Sequence, residues 1–228
     1  MELINIMKKK LIIFDFDGTL LHSAPIIKKI LNVLRARLDL SPLQEEDIYP
    51  WISEGGLKMI ANSLCMSEDN AKDWLTEFRK IYMATNTNKN LIYDGAVQFI
   101  KFAKKYNYEL AICSNKPEPL LMKALADTEL LSFFSTVIGG TEKTKPKPNP
   151  ERILKILEKV DATRNTTVMI GDSRADYYAS TSADVEFIFF KGGYNDGVPI
   201  KKIKHSFTRF SELMPIIETQ ESAPFNKN

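Results

Sequence analysis

The chain has 228 residues, 44% of them hydrophobic. That supports a sizeable core and excludes a disordered chain. Lys and Arg number 31 against 29 Asp and Glu, a net charge of +2, so no general field favours nucleic acid or an anionic membrane. The two cysteines, Cys65 and Cys113, exclude a disulfide scaffold and a four-thiolate zinc site. No stretch approaches the roughly 18 apolar residues of a membrane span. The expectation is a cytoplasmic protein with one main domain and a smaller insertion.

Taken in chain order, Leu11–Phe14 is a short apolar run closed by Asp15, which predicts a buried strand. Ser23-Ala24-Pro25 opens a helix, with Pro suited to its first turn. Ile27, Ile30, Leu31, Leu34 and Leu38 then form one apolar stripe. A second stripe comprises Ala71, Trp74, Leu75, Phe78 and Tyr82. Between them Pro42, Pro50 and Gly55-Gly56 predict a loop, with Cys65 on a helix after it. A helix is predicted around Gly95–Tyr106, then a strand at Glu109–Cys113 and a helix near Glu118–Ala126. A short strand follows at Thr136–Ile138. Asn149-Pro150 starts a helix bearing Ile153, Leu154, Leu157 and Val160. Thr167–Ile170 is a strand, Arg174–Ala183 a helix and Glu186–Phe190 a strand.

Strands alternating with helices predict an α/β fold with a doubly wound, Rossmann-like parallel sheet covered on both faces. The helix-only stretch breaks that alternation. It is read as an inserted all-helical cap domain at 22–90, with the core at 1–21 plus 91–228.

Ligands of such sheets bind beyond the carboxyl ends of the strands. After the first strand stands Asp15-Phe16-Asp17-Gly18-Thr19, and after the second Ser114-Asn115-Lys116. After the third comes a loop with Lys143, Lys145 and Lys147, and after the fourth Gly171-Asp172-Ser173, with Asp176 a turn later. Carboxylates, a hydroxyl and a lysine on one rim fit a magnesium-dependent phosphoryl-transfer site. Hard oxygen ligands suit Mg2+, a carboxylate can be the nucleophile, and a cation stabilises charge on the transferring oxygens.

These motifs, in this order, resemble the haloacid dehalogenase-like hydrolase superfamily over nearly the whole chain. Leu20-Leu21-His22-Ser23-Ala24-Pro25, Lys145-Pro146-Lys147-Pro148-Asn149-Pro150 and Gly193-Tyr194-Asn195 are most similar to phosphoglycolate phosphatases with a helical cap. The resemblance implies Asp15 as the nucleophile and Asp17 as the acid and base. It implies Mg2+ on Asp15, the backbone carbonyl of Asp17, and Asp172. Gly18, Thr19, Ser114 and Asn115 would meet the phosphate, and Lys145 would pair with it and with Asp15. Ser173 and Asp176 would orient these groups from behind. The cap loop Trp51–Gly56, with Glu54, Gly55 and Gly56, would face the substrate. His22 stands where many relatives carry Asp.

The implied activity is hydrolysis of a small phosphomonoester through an aspartyl-phosphate, by a monomer or homodimer. Pyrophosphatase, nucleotidase, and sugar-phosphate phosphatase or mutase activities are alternatives on the same core. An alternative of another class is a non-catalytic phosphoester-binding protein. Cys113 reads as core packing, and Trp74, Phe78 and Tyr82 as cap core.

Overall fold

The structure, a computed structural model, describes residues 10–52 and 55–215. Its centre is a six-stranded sheet: β1 (Leu11–Phe14), β2 (Glu109–Pro117), β3 (Thr136–Gly140), β4 (Thr167–Gly171), β5 (Glu186–Phe190) and β6 (His205–Phe207). The order is β3-β2-β1-β4-β5-β6, and every neighbouring pair is parallel. From β1 the chain builds outward to β3, then returns to the other side of β1 and builds outward again. The order therefore reverses between β1 and β4, which is where such a sheet opens a ligand crevice.

The helices are α1 (Ala24–Ala36), α2 (Tyr49–Ile52), α3 (Gly56–Ser63), α4 (Lys72–Ala84), α5 (Ala96–Lys105), α6 (Glu118–Asp127), α7 (Glu151–Lys159) and α8 (Arg174–Ser182). All four residues of β1 are buried, because the sheet is covered twice. Ile12 and Phe14 face a core shared with Phe99 and Ile100 of α5 and Leu121 and Leu125 of α6. Leu11 and Ile13 face the opposite core, with Ile153 and Ile156 of α7 and Ala179 of α8. This explains why β1 reads as a continuous apolar run rather than an alternating one.

The α1–α4 segment carries a hydrophobic cluster of its own. Ile27, Ile30, Leu31 and Leu34 of α1 pack with Met59 and Ile60 of α3 and Phe78 and Tyr82 of α4. Leu120 of α6 is the buried residue of the sheet domain that joins this cluster among the described residues. A helical cap thus sits on the sheet domain as a separately packed layer.

The structure departs from the sequence expectations in several places. The segment read as loop contains α2 and α3. Pro50 falls in the first turn of α2, where a missing N–H does no harm. Cys65 follows α3 rather than lying on a helix; it is exposed, at a left-handed φ of 56°. β2 continues through Ser114 and Asn115 to Pro117. The edge strand β6 is only three residues long, too short to leave a pattern.

Phe14 is fully buried and meets Phe99 and Phe134 edge-on, with ring centroids 6.2 and 6.1 Å away. Phe14→Ala should destabilise the protein by about 3–5 kcal/mol. Urea unfolding followed by circular dichroism checks this, and a loss well under that range would mean the site collapses around the gap.

Candidate active site

Asp15 leaves the end of β1 and Asp172 the end of β4, on either side of the crevice where the strand order reverses. The Asp15 amide donates to the Ile170 carbonyl at 2.9 Å, tying the two strand ends together. Asp172 is 1% exposed. Its Oδ1 accepts the Thr19 hydroxyl at 2.7 Å and its Oδ2 accepts the Tyr194 amide at 2.8 Å. Two glycines permit this packing. Gly18 has φ 88°, and a Cβ there would lie 2.4 Å from Asp172 Oδ2. A Cβ on Gly193 would lie 2.3 Å from both Asp172 Cβ and the Gly18 carbonyl oxygen.

Asp176 stands in the first turn of α8, locked by a capping box with Ser173. Its Oδ2 accepts the Ser173 hydroxyl at 2.6 Å and the Ser173 amide at 3.0 Å. Between Asp176 and Asp15 lies the Lys147 ammonium. It donates to Asp176 Oδ1 at 2.5 Å, Asp15 Oδ1 at 2.7 Å and the Cys113 carbonyl at 2.7 Å. An ammonium has three protons, so Lys147 is fully committed and its position fixed. The other oxygen of Asp15 receives no protein donor among the described residues.

The expected lysine was Lys145, and the structure corrects this. Lys145 is exposed, while Lys147, two residues on, is 4% exposed and touches Asp15. Both precede a proline in an alternating Lys-Pro run, so sequence alone does not separate them. What selects Lys147 is Asn115. Its amide accepts from the Lys147 N–H at 2.8 Å and donates to the Lys147 carbonyl at 2.9 Å. Arg152 of α7 braces the arrangement by donating to Asn115 Oδ1 at 2.9 Å and to the Ser114 carbonyl at 2.8 Å. The side chain of Asn115 thus positions the lysine loop, and Asn115 also lines the cavity. Thr19 is fully buried with its hydroxyl on Asp172, so its side chain positions that carboxylate instead of meeting substrate.

Asp15, Asp172 and Asp176 each offer an oxygen within 4.8 Å of the others. One ammonium faces these three carboxylates, so a divalent cation is the charge the cluster lacks. The donors are hard oxygens, as Mg2+ or Ca2+ requires. Burial, then the Asp176 charge, pushes the Asp15 carboxyl up to about 7 against the pull of Lys147. Burial, then Asp15 and Asp176, raises Asp172 as well. Asp17 was expected to offer the metal its backbone carbonyl and to leave its side chain for proton transfer. Its side chain turns away from the cluster to Lys116, whose Nζ lies 3.1 and 3.3 Å from its two oxygens.

A cavity of about 70 Å3 opens in front of Asp15 and Asp17. Its floor comes from the sheet domain and includes Asp15, Asp17, Ser114, Asn115, Lys116, Lys147 and Ser173. Its roof comes from the cap: Ile27, Ile52, Gly55, Gly56, Met59, Leu75, Phe78, Arg79 and Tyr82. Of the expected cap-loop residues, Gly55 and Gly56 line the cavity and Glu54 lies outside the described residues. Ser114 is at the floor, its hydroxyl accepting the Lys116 amide at 3.2 Å. Phe78 and Tyr82 were expected only as cap core; they belong to it and also form cavity wall. Lys116 was not singled out from sequence. It lies under the Tyr82 ring, 4.2 Å from the centroid, and although burial pushes its pKa down, Asp17 and Tyr82 outweigh that and raise it. His22 is away from the cavity, with Nε2 2.8 Å from Glu45 and Nδ1 3.3 Å from the Tyr194 hydroxyl.

Comparison with known proteins bears on this geometry. Residues 12–190 match the model of a family described as haloacid dehalogenase-like hydrolase. The phosphoglycolate phosphatase of Pseudomonas syringae pv. syringae is 29% identical over 197 residues, 84% of this chain and 72% of that one. The phosphoglycolate phosphatase of Colwellia psychrerythraea is 27% identical over 219 residues, 92% of this chain and 97% of that one. The crystal structure of a predicted phosphoglycolate phosphatase from Haemophilus somnus 129PT matches with a TM-score of 0.83 at 25% identity, covering 92% of this chain and 98% of that one. No helix of the described residues is long and apolar enough to cross a membrane.

Two outcomes are expected from the site. Lys147→Met strands Asp15 and Asp176 without a counter-ion and should cost about 3–5 kcal/mol in urea unfolding. The exposed Lys145→Met should stay within about 0.5 kcal/mol of the parent. Equal effects would place the buried cation elsewhere. The second outcome concerns pH. Folding raises the Asp15 carboxyl from 3.8 to about 7, so in that window the metal-free native state holds a proton the unfolded chain has released. Its contribution to stability therefore falls as pH rises from 3.8 to about 7. Melting temperature in chelator should drop across the window, and added Mg2+ should restore more at the high end than at the low end. Uniform stabilisation by Mg2+ at both ends would contradict the cluster as its binding site.

Proposed function

The chain belongs to the haloacid dehalogenase-like hydrolases, and on that premise we propose that it is a Mg2+-dependent phosphatase of small phosphomonoesters, most similar in preference to phosphoglycolate phosphatases. One observation carries the reading. A buried carboxylate with one oxygen held and one free faces a cavity that also contains a second carboxylate, Asp17.

The free oxygen of Asp15 attacks phosphorus, and the bond from phosphorus to the leaving oxygen breaks. Asp17 supplies the proton the leaving oxygen takes up. Water then attacks the phosphorus of the aspartyl-phosphate, Asp17 accepts its proton, and Asp15 is regenerated. Lys147 keeps Asp15 oriented, and Ser114 bounds the space for the transferring oxygens. Asp15 and Asp172, with the backbone carbonyl of Asp17, would hold Mg2+, with Asp176 beside them. When bound, the ion offsets repulsion between the anionic nucleophile and the anionic phosphate. Closure of the cap over the cavity excludes water during transfer.

Cavity size supports a small substrate. At about 10–15 Å3 per water site, its 70 Å3 admits roughly five to seven water-sized groups. The working machinery of Asp15, Asp17, Lys147 and Asp172 also argues against a protein that only binds phosphoesters.

The test is phosphate release from phosphoglycolate, sugar phosphates, nucleotides and pyrophosphate, with Mg2+ and with chelator. The expected result is Mg2+-dependent release favouring the smallest monoesters. Asp15→Asn should reduce it by at least about a thousandfold. Asp17→Asn should lower kcat by about 10²–10⁴ while leaving the Mg2+ affinity, read by calorimetry, nearly unchanged. No release from any of these compounds would sink the proposal, and parallel losses of turnover and affinity in Asp17→Asn would make its side chain a metal ligand.

A further inference from the structure

The first helix of the cap starts on an amide that its own segment does not satisfy. Ser23 precedes α1 in a helical backbone conformation, and its side chain makes no capping bond. Of the first-turn donors, Pro25 has none, and the Ile26 and Ile27 amides both reach the Ser23 carbonyl at 3.1 Å. That leaves the amide of Ala24, a fully buried residue. A buried amide needs an acceptor. It finds one in the sheet domain: the Tyr194 hydroxyl, 2.9 Å away on the loop after β5. The Tyr194 ring stacks on Tyr49 of α2 and packs against the apolar cluster of the cap. The Tyr49 hydroxyl donates to Glu45 Oε1 at 3.0 Å. His22 closes the circuit, with Nε2 on that same oxygen and Nδ1 3.3 Å from the Tyr194 hydroxyl. The cap therefore holds Tyr194 by both its ring and its hydroxyl.

The backbone of the same residue faces the carboxylate cluster. The Tyr194 amide donates to Asp172 Oδ2 at 2.8 Å. Two residues on, Asp196 Oδ1 accepts the Arg174 amide at the start of α8, at 2.5 Å. Resting on the reading of Asp172 as a Mg2+ ligand, we infer that Tyr194 is a positioning residue that couples the seating of α1 to cation binding at Asp172. With α1 seated, the hydroxyl bond and the stack hold this loop where its amide fixes one oxygen of Asp172. With α1 displaced, the loop loses both restraints and the carboxylate loses a fixed donor. Such a coupling is reciprocal: the factor by which a seated α1 favours the cation is the factor by which the cation favours a seated α1. His22 then has a place as the brace of this contact, on the linker and away from the substrate cavity.

The experiment uses the full chain and Mg2+ alone, without substrate. Calorimetry gives the Mg2+ affinity, and amide hydrogen exchange read by mass spectrometry follows residues 22–31 with and without the ion. In the parent protein Mg2+ should slow exchange in that segment, although the segment contains none of the carboxylates. Tyr194→Phe keeps the ring and its stack, so folding should survive, and it removes the acceptor of the Ala24 amide. It should weaken Mg2+ binding by about two- to tenfold, the range of one neutral hydrogen bond, and abolish the effect of Mg2+ on residues 22–31. Phosphate release by Tyr194→Phe should need more Mg2+ for half-maximal rate yet return to the parental kcat when Mg2+ is saturating, which a general loss of structure would not do. An unchanged Mg2+ affinity in Tyr194→Phe, or exchange at residues 22–31 that ignores Mg2+ in the parent, overturns the coupling and leaves the metal site standing. Absence of Mg2+ binding by the parent, or binding that Asp172→Asn leaves unchanged, overturns the metal reading and the coupling with it.

Discussion

The Lys147 ammonium is the contact on which the site depends. It bonds two carboxylates and the Cys113 carbonyl of β2, drawing β1, β2 and the first turn of α8 to one point. Without it, Asp15 and Asp176 would be like charges in a place with little water, and one would hold a proton. With it, Asp15 has one oxygen fixed and one free, which is the state a nucleophile needs. The third carboxylate, Asp172, is held by Thr19 and Tyr194 with an oxygen within 4.8 Å of oxygens of Asp15 and Asp176.

Much of the fold was legible because burial and sequence pattern coincide. β1, β4 and β5 are apolar runs since both faces of the sheet are covered, and α1 and α4 show clear stripes since each has one buried face. Legibility fails where an element is short. α2 has four residues and β6 three, so neither repeats a period. Pro50 and Gly56 look like breakers, yet both lie in the first turn of a helix, where proline and glycine are tolerated.

The site was legible at its strand ends and less so in its loops. Asp15 and Asp172 follow strands directly, and Asp17 and Ser114 lie within three residues of an apolar strand run, so locating the strand locates the residue. Lys145 and Lys147 hang on a loop, where the alternation of Lys and Pro makes them equivalent by type. Their difference is set by Asn115 on another element, a long-range hydrogen bond that no local pattern encodes. Thr19 and Asn115 have the residue types of phosphate binders, and the structure uses their side chains to position other groups. Type alone does not say whether a donor faces the ligand or a ligand's neighbour.

Contacts of different kinds set the cap against the sheet domain; beside α6, Lys123 donates to the Thr85 carbonyl at 2.8 Å and Asp127 accepts the Thr87 amide at 2.9 Å. At the hinge, the Tyr194 hydroxyl accepts the Ala24 amide at 2.9 Å, and its ring stacks on Tyr49 at 4.9 Å. The backbone of the same residue holds Asp172, so that carboxylate and the first turn of α1 share one anchor. Across the cavity, Tyr82 of the cap rests on Lys116, the partner of Asp17. A cation–π contact of this kind contributes only about 0.5–2 kcal/mol. Because Tyr82 of the cap meets the counter-ion of Asp17, cap position and the environment of that carboxylate are linked.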